Sequence, residues 1–333
     1  MKKQHIVVLL LSLALIFAAL ISVTLGRFHI TLNELFAALT DRITGRESVS
    51  ATTAAILFNV RLPRILLACL VGCCLSGAGA AYQGTFRNPM ASPDILGASS
   101  GAAAGAAIAI LLELSGRMVT VFAFASSLVT IALVTLVSKA ARGERVLGII
   151  LAGIMVSSLA NAVTSFIKLV ADPNSILPEI TYWLMGSLAK TKREDTLFAL
   201  VPMTIGMVPL LLLRWRINLL TLPDNEAKSL GVNVNATRGA VIVCSTLITA
   251  ASVSVSGLIG WVGLVVPHLA RKLVGSDFRA LLPTSAIGGA LFLLIVDNIS
   301  RNLLITEIPI GILTSVIGAP FFIWLMTRRE ITE

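Results

Sequence analysis

Apolar and polar positions along the chain separate into long uncharged runs and short charged connections. A helix needs about 20 apolar residues to cross the hydrocarbon layer of a membrane. The pattern therefore predicts an all-α integral membrane protein with a single transmembrane domain, residues 1–333. Runs without Asp, Glu, Lys or Arg cover residues 5–26, 65–86, 95–112, 118–138, 146–167, 196–213, 239–270, 280–296 and 308–327.

The run at residues 239–270 is too long for one helix of this kind. Gly257, Gly260 and Gly263 interrupt it. Glycine weakens a helix interior because it loses the most backbone freedom when it is ordered. We therefore divide the run near Gly257–Gly260 and predict ten transmembrane helices.

The positions of the basic residues test that division. With the amino terminus inside, ten spans leave fifteen of the 26 Lys and Arg residues in cytoplasmic connections, whereas nine spans leave eleven. Basic residues are enriched on the cytoplasmic side, so we predict ten spans in the cytoplasmic (inner) cell membrane, with both termini cytoplasmic. The fifteen residues are Lys2, Lys3, Arg87, Lys139, Arg142, Arg145, Arg214, Arg216, Lys228, Arg238, Arg271, Lys272, Arg279, Arg328 and Arg329.

The composition supports a membrane protein. The chain is 56% hydrophobic and only 13% charged, whereas soluble domains average about 25% charged residues. A net charge of +9 is also found in nucleic-acid-binding proteins, but here the basic residues are scattered between apolar runs. We attribute them to membrane topology and expect no nucleic-acid partner.

The chain lacks a nucleotide-binding motif. It contains no G-x-x-x-x-G-K-[ST] loop for nucleotide phosphates. His5, His29 and His268 do not have a metal-ligand spacing. The four cysteines lie inside apolar runs, where we interpret them as small buried hydrophobic residues, with a redox or metal role as the alternative. We expect no catalytic site, no metal site and no cofactor.

The second run contains small residues at every fourth position, namely Gly72, Ser76, Ala80 and Gly84. This spacing places them on one helix face, where neighbouring helices can approach closely. The helix is therefore expected inside a bundle. The pairs Ser76-Gly77 and Asn88-Pro89 also have a counterpart in the second half, at 256–257 and 266–267, and transporters often consist of two inverted repeats.

Two connections are predicted on the outer side. In residues 28–60, roughly helical spacing predicts a short helix at the membrane interface. Residues 171–194 contain the ten-residue apolar piece Ile180–Ala189, which is too short to cross the membrane. It is either a re-entrant or an interfacial helix. The apolar positions in 28–60 are Ile30, Leu32, Leu35, Phe36 and Leu39.

The largest cytoplasmic segment is residues 214–238. Asp224 follows Pro223 and can cap a helix at Asn225–Leu230, and Gly231 can end that helix in the left-handed conformation. A simple connection needs only a few residues. The segment therefore favours a docking surface for a cytoplasmic partner.

Ionisable residues inside a membrane usually mark an ion or proton pathway. Here Glu113, Lys168 and Asp297 lie at the ends of spans, where we expect them to reach headgroups or water. The pattern disfavours an ion-coupled secondary transporter, which remains the alternative of another class. A passive channel, a structural subunit, or a pore driven by another chain remain.

Several segments together resemble the membrane permeases of ABC importers for ferric siderophores, haem and cobalamin. They follow the order of that family over nearly the whole chain. The segments are RLPR at 61–64, QGTFRNPMASPDILGASSGA at 83–102, YWLMGSL at 182–188, PDNEAKSLGV at 223–232, GLIGWVGLVVPHLAR at 257–271 and EIPIGILTSVIGAPFFIWL at 307–325.

The resemblance implies a BtuC-like ABC importer permease fold with ten spans per subunit. It also implies a homodimer, two separate cytoplasmic ATPase subunits and an extracytoplasmic substrate-binding protein. The substrate would be a metal chelate, and the segment WLMGSL favours a ferric siderophore over cobalamin or haem.

The resemblance also implies roles for particular residues. Arg61, Arg64 and Arg301 would be exposed on the outer face and would contact acidic residues of the binding protein. Two further sets of residues would act on the cytoplasmic side. The cytoplasmic gate would consist of Asn88, Pro89 and Met90, and the helix that couples to the ATPase would involve Asp224, Asn225, Glu226, Leu230 and Gly231.

Overall fold

The computed structural model describes residues 2–26, 28, 30–45, 49–140 and 145–327, and these residues are almost entirely helical. His29, Arg142, Arg328 and Arg329, which entered the predictions above, lie outside this set. The helices are α1 Lys2–Thr24, α2 Leu32–Thr44, α3 Ala51–Ile56, α4 Leu62–Thr85, α5 Ala98–Leu111, α6 Gly116–Ala140, α7 Arg145–Val170, α8 Ile176–Leu184, α9 Arg193–Leu220, α10 Asp224–Ser229, α11 Val234–Ser256, α12 Val262–Val274, α13 Phe278–Asn302 and α14 Ile310–Thr327.

Each of the ten predicted spans coincides with a helix. Within the described residues, seven helices are long and apolar enough to cross a membrane, and the second of them runs without interruption from Ala51 to Thr85. The other three are α5, α12 and α14, with 14, 13 and 18 residues. The chain leaves helical geometry between Ser256 and Val262, so the division of the long seventh run is confirmed.

The order of helix lengths repeats in the two halves. The helices α4 to α7 have 24, 14, 25 and 26 residues, and α11 to α14 have 23, 13, 25 and 18. A non-helical break precedes the short second helix in each set. Four helices, α5, α6, α7 and α9, lie between α4 and α11 in the chain. When each of them crosses the membrane once, α4 and α11 cross it in opposite directions. This order agrees with the predicted inverted repeat.

The small-residue face of α4 packs against α12 and α13, as its spacing predicts. A Cβ atom built on Gly72 would lie 2.2 Å from the carbonyl oxygen of Gly289 in α13, and one built on Gly79 would lie 1.9 Å from that of Gly263 in α12. Ser76 between them is completely buried. The backbones of three helices therefore touch, which places α4 in the centre of the bundle.

Two predicted boundaries are wrong for one physical reason. The second span was expected to start at 65, but the helix begins at Ala51 and passes through a π-helical turn, Leu57–Arg61, into α4. The cytoplasmic segment 214–238 was expected to be a connection, but α9 continues to Leu220. A charged residue ends an apolar run in the sequence, but the helix can continue through it. The charged group at the end of a long side chain can still reach water or a partner.

The two connections that were predicted to lie on the outer side each contain a short helix. The side chain of Thr31 caps α2 by accepting a hydrogen bond from the backbone N–H of Glu34, and the Glu34 carboxylate accepts one from Thr31. Ile30 and Leu35 are buried at that end. In 171–194 the structure has the nine-residue helix α8. It ends at Leu184, so the predicted piece Ile180–Ala189 is helical only in its first half, because Gly186 takes a left-handed backbone conformation. The following Ser187 donates its backbone N–H to the carbonyl of Ser256 at 2.8 Å. The break after α11 therefore packs on the segment after α8.

The Gly72–Gly289 contact leads to a prediction about stability. Gly72→Ala adds one methyl group where no space exists, so we expect overpacking to lower the free energy of unfolding by roughly 1–3 kcal/mol. Gly239→Ala is the matched control, since no heavy atom lies within 4 Å of its built Cβ. The control should be neutral or slightly stabilising, because alanine favours helix. Thermal unfolding in detergent measures both, and equal midpoints would contradict the close approach.

Candidate docking, gating and coupling sites

The three arginines predicted to be exposed for docking are buried. Arg61, Arg64 and Arg301 are 5%, 6% and 8% exposed, so the expectation of free side chains on the outer face is wrong. Their role in docking stays a prediction. The reason for the burial is a set of partners from other parts of the chain, which we call the outer arginine cluster: these three residues with Asp297 and Glu307.

Arg64 is the centre of the cluster. Its guanidinium donates to Asp297 Oδ1 from Nε at 3.0 Å and from Nη2 at 2.9 Å. It also donates to both carboxylate oxygens of Glu307, at 3.0 and 2.8 Å. Arg301 approaches the second oxygen of Asp297 at 3.1 Å. Asp297 is completely buried, so the expectation that it reaches water is wrong, because two arginines replace the water.

The remaining contacts of the cluster attach the first helix. Arg61 donates to the backbone carbonyls of Val23 and Phe28. Arg301 donates to the hydroxyl of Ser22 at 2.7 Å. The cluster therefore joins the ends of α1, α4 and α13 on the side that was predicted to be the outer one. Its three arginines and two carboxylates leave one positive charge in excess.

On the opposite side, α4 ends in a Schellman motif that leads into the predicted gate. The N–H of Asn88 bonds to the carbonyl of Gln83 at 3.2 Å and the N–H of Arg87 to that of Gly84 at 3.4 Å. Arg87 occupies the left-handed position, with φ +52°, where glycine is usual. A side chain there costs roughly 1–2 kcal/mol.

The predicted gate residues lie directly after this turn. Asn88, Pro89 and Met90 are exposed, and Met90 has half of its surface accessible. The side-chain oxygen of Asn88 accepts a hydrogen bond from the backbone N–H of Met90 at 2.8 Å. The loop therefore has a defined shape and an apolar tip, and its gating role remains a prediction.

The predicted coupling helix is present as α10. Gly231 has φ +80°, and the bonds from Gly231 N–H to Lys228 and from Val232 N–H to Ala227 complete a Schellman motif. This ending is confirmed. The expected start is wrong, because Pro223 is the N-cap residue and makes no side-chain cap bond. Asp224 lies one position later, and its carboxylate is engaged by other residues.

Two arginines bind Asp224. Arg238 donates to Oδ2 at 3.2 Å and to Oδ1 at 3.0 Å. Arg87 also donates to Oδ1. Arg87 also donates from Nε to the carbonyl of Leu220 at 2.9 Å. The hydrogen bonds from Arg238, helped by Arg87, hold the pKa of Asp224 below its usual value. The carboxylate is thus ionised at neutral pH.

The surface of α10 divides into an anchored side and an exposed side. Ala227 is completely buried and Leu230 is 58% exposed. Asn225 and Glu226 are also exposed. Of the residues predicted for coupling, Asn225, Glu226 and Leu230 are available to a partner, whereas Asp224 fixes the helix.

Sequence reasoning missed two functional candidates at the cytoplasmic end. Arg87 and Arg238 were counted only as basic residues of cytoplasmic connections, although Arg87 directly precedes the predicted gate. That adjacency was the available signal for Arg87. For Arg238 the sequence has none, since its partner lies 14 residues away across a turn.

The chain matches the FecCD transport family over residues 14–328. The molybdate import system permease protein MolB of Haemophilus influenzae is 41% identical over 314 residues, which are 94% of this chain and 92% of that protein. A Helicobacter pylori protein named as an iron chelatin transport system permease is 41% identical over 280 residues, 84% of this chain and 85% of that protein.

A solved structure is also similar to this chain. It is described as an inward-facing conformation of a metal-chelate type ABC transporter. It superimposes with a TM-score of 0.86 at 39% identity, and the match covers 96% of this chain and 98% of that chain.

The outer arginine cluster leads to a second prediction about stability. Asp297→Asn keeps the shape but leaves Arg64 and Arg301 without a buried charge between them. We expect a loss of about 3–5 kcal/mol in the free energy of unfolding, the usual effect of breaking a buried ion pair. Glu194→Gln removes an exposed charge on the same side and should change it by about 0.5 kcal/mol or less. Similar unfolding midpoints for the two variants would argue against the ionic cluster.

Proposed function

The chain belongs to the FecCD transport family of ABC importer permeases, and we propose that it moves a metal chelate across the cytoplasmic membrane with energy from separate ATPase subunits. The match over residues 14–328 carries this proposal. The chain itself has no phosphate-binding loop, so ATP would have to be bound by a partner. Two copies of the permease would form the pore, with a loop of gate residues from each.

The coupling helix supports the ATPase partner. An exposed leucine and two exposed polar residues, Leu230, Asn225 and Glu226, lie on the surface of a short helix that is anchored by Ala227 and Asp224. Such a helix can sit in a groove of another protein and move with it as a rigid body. We assign the docking of the ATPase to this surface.

The alternative of an ion-coupled carrier gains nothing from the buried Asp297. A carboxylate that carries protons has to change its charge during transport. Asp297 is completely buried and is held in ion pairs by Arg64 and Arg301. Its position fits a structural role.

The binding protein would dock at the outer arginine cluster by exchange of a carboxylate. Glu307 is the most accessible member of the cluster, with 27% of its side chain accessible, whereas Asp297 is inaccessible. An acidic residue of the binding protein can therefore replace Glu307 on Arg64 and leave the Asp297 pair intact. The excess positive charge of the cluster favours an acidic partner.

This exchange predicts the direction of a mutational effect. Glu307→Gln removes the competing carboxylate and should strengthen association with the binding protein by up to about fivefold, the strength of a partly exposed ion pair. The gain should shrink at high salt, because exposed charges are screened. Glu113→Gln is the control, since Glu113 is also an exposed acid on the outer side. Weaker association of Glu307→Gln would contradict the exchange.

The names of the relatives leave two substrate classes, metal chelates and the molybdate oxyanion. We favour a ferric siderophore, with cobalamin and haem as the other chelates. The MolB relative, which covers 94% of the chain, favours molybdate as a second candidate.

Uptake into proteoliposomes tests the substrate and the energy source together. The vesicles contain the permease, its ATPase and its binding protein, and the probes are labelled ferric siderophore, haemin, cobalamin and molybdate. We expect ATP-dependent uptake of the ferric siderophore. Uptake that continues without ATP would contradict the proposed energy source, and uptake of molybdate alone would assign the chain to oxyanion transport.

A further inference from the structure

We propose that Arg87 is the positioning residue that connects the coupling helix to the gate, through its contact with Asp224. This inference rests on the proposed function, because it assigns a route by which movement of α10 reaches Asn88, Pro89 and Met90. The route is short. Arg87 is joined by a peptide bond to the first gate residue and by a side-chain ion pair to the first residue of α10.

The backbone at Arg87 favours a specific role for the side chain. Left-handed φ is the position that glycine fills most easily at a helix end, and this residue has φ +52°. An arginine there is strained, and strained residues persist where the surrounding structure holds them. The holding contacts are those to the carbonyl of Leu220 and to Asp224. Leu220 is the last residue of α9 and Asp224 the first of α10, so neither contact belongs to α4.

The two arginines on Asp224 differ in accessibility, which divides their tasks. The side chain of Arg238 is 5% exposed, and that of Arg87 is 39% exposed. Arg238 belongs to α11 and keeps α10 attached to the bundle. The contact of Arg87 is screened by water and weaker, so it can be broken and remade when α10 moves. The ion pair between Arg87 and Asp224 is therefore the one that can break and re-form.

The gate loop has its own internal support, so a shift at Arg87 moves it as a unit. Asn88 is bonded to the carbonyl of Gln83 on one side and to Met90 on the other. A pull on the Arg87 guanidinium acts, through its side chain, on the residue that directly precedes Asn88, so the turn and the apolar tip at Met90 can move together.

Arg87→Gly separates this role from a role in folding. Glycine is favoured at the left-handed position, so the variant relieves the backbone while removing the side chain. Glu113→Gly is the matched control: Glu113 also has positive φ, +51°, in a Schellman motif at the end of a helix. It lies at the opposite end of the bundle, and its carboxylate forms no ion pair in the described part of the chain.

The first measurement compares transport with ATP hydrolysis in the reconstituted complex. We expect Arg87→Gly to lower substrate uptake at least tenfold while ATP hydrolysis stays within about twofold of wild type and the unfolding midpoint does not fall. Arg87→Lys should recover part of the uptake, since one ammonium can keep the contact with Asp224. Glu113→Gly should behave as wild type. A parallel loss of uptake, hydrolysis and stability would overturn the assignment in favour of a structural role.

The second measurement does not depend on transport. Amide hydrogen exchange of the permease alone should become faster in both residues 88–92 and 224–230 on Arg87→Gly, and in neither on Glu113→Gly. Unchanged exchange in 224–230 would overturn the proposed link. Absence of ATP-dependent uptake by the wild-type complex would instead refute the proposed function, and faster exchange in both segments would still support the link.

Discussion

Direct backbone contact between α4 and its neighbours α12 and α13 is the interaction on which both candidate sites depend. In a membrane, apolar side chains gain nothing by leaving lipid for protein, so helices associate through close packing and polar contacts. Gly72 and Gly79 of α4 allow the carbonyl groups of Gly289 and Gly263 to lie where a side chain would otherwise be. The position of α4 in the bundle follows from this contact, and with it the position of its two ends.

The two ends of α4 use the same chemistry at different depths. At the outer end, Arg64 meets Asp297 in a fully buried pair, whose loss would leave charges in an apolar environment. At the inner end, Arg87 meets Asp224 in a partly exposed pair, which water and salt weaken. The first pair is suited to hold helices together, and the second is suited to open and close.

This arrangement would allow one helix to serve the two proposed partners. The 24 residues of α4 span about 36 Å, enough to place one end at each membrane surface. The proposed docking site lies at its start and the proposed gate directly after its end. The relatives carry names of different substrates.

The sequence determined the class of the protein, the ten helices, the break after Ser256 and the small-residue face of α4, because these depend on apolar runs and local spacing. Its resemblance to one family, carried by motifs, also agreed with the comparisons. Only the tertiary structure decided the environment of the charges. Arg64 was expected in water and is buried, since its partners Asp297 and Glu307 lie 233 and 243 residues away. Asp224 was expected to cap its own helix and instead binds Arg238 and Arg87. An ionised side chain pairs with the group that folding brings within hydrogen-bonding distance. When that group lies far away in the chain, the neighbouring sequence does not identify it.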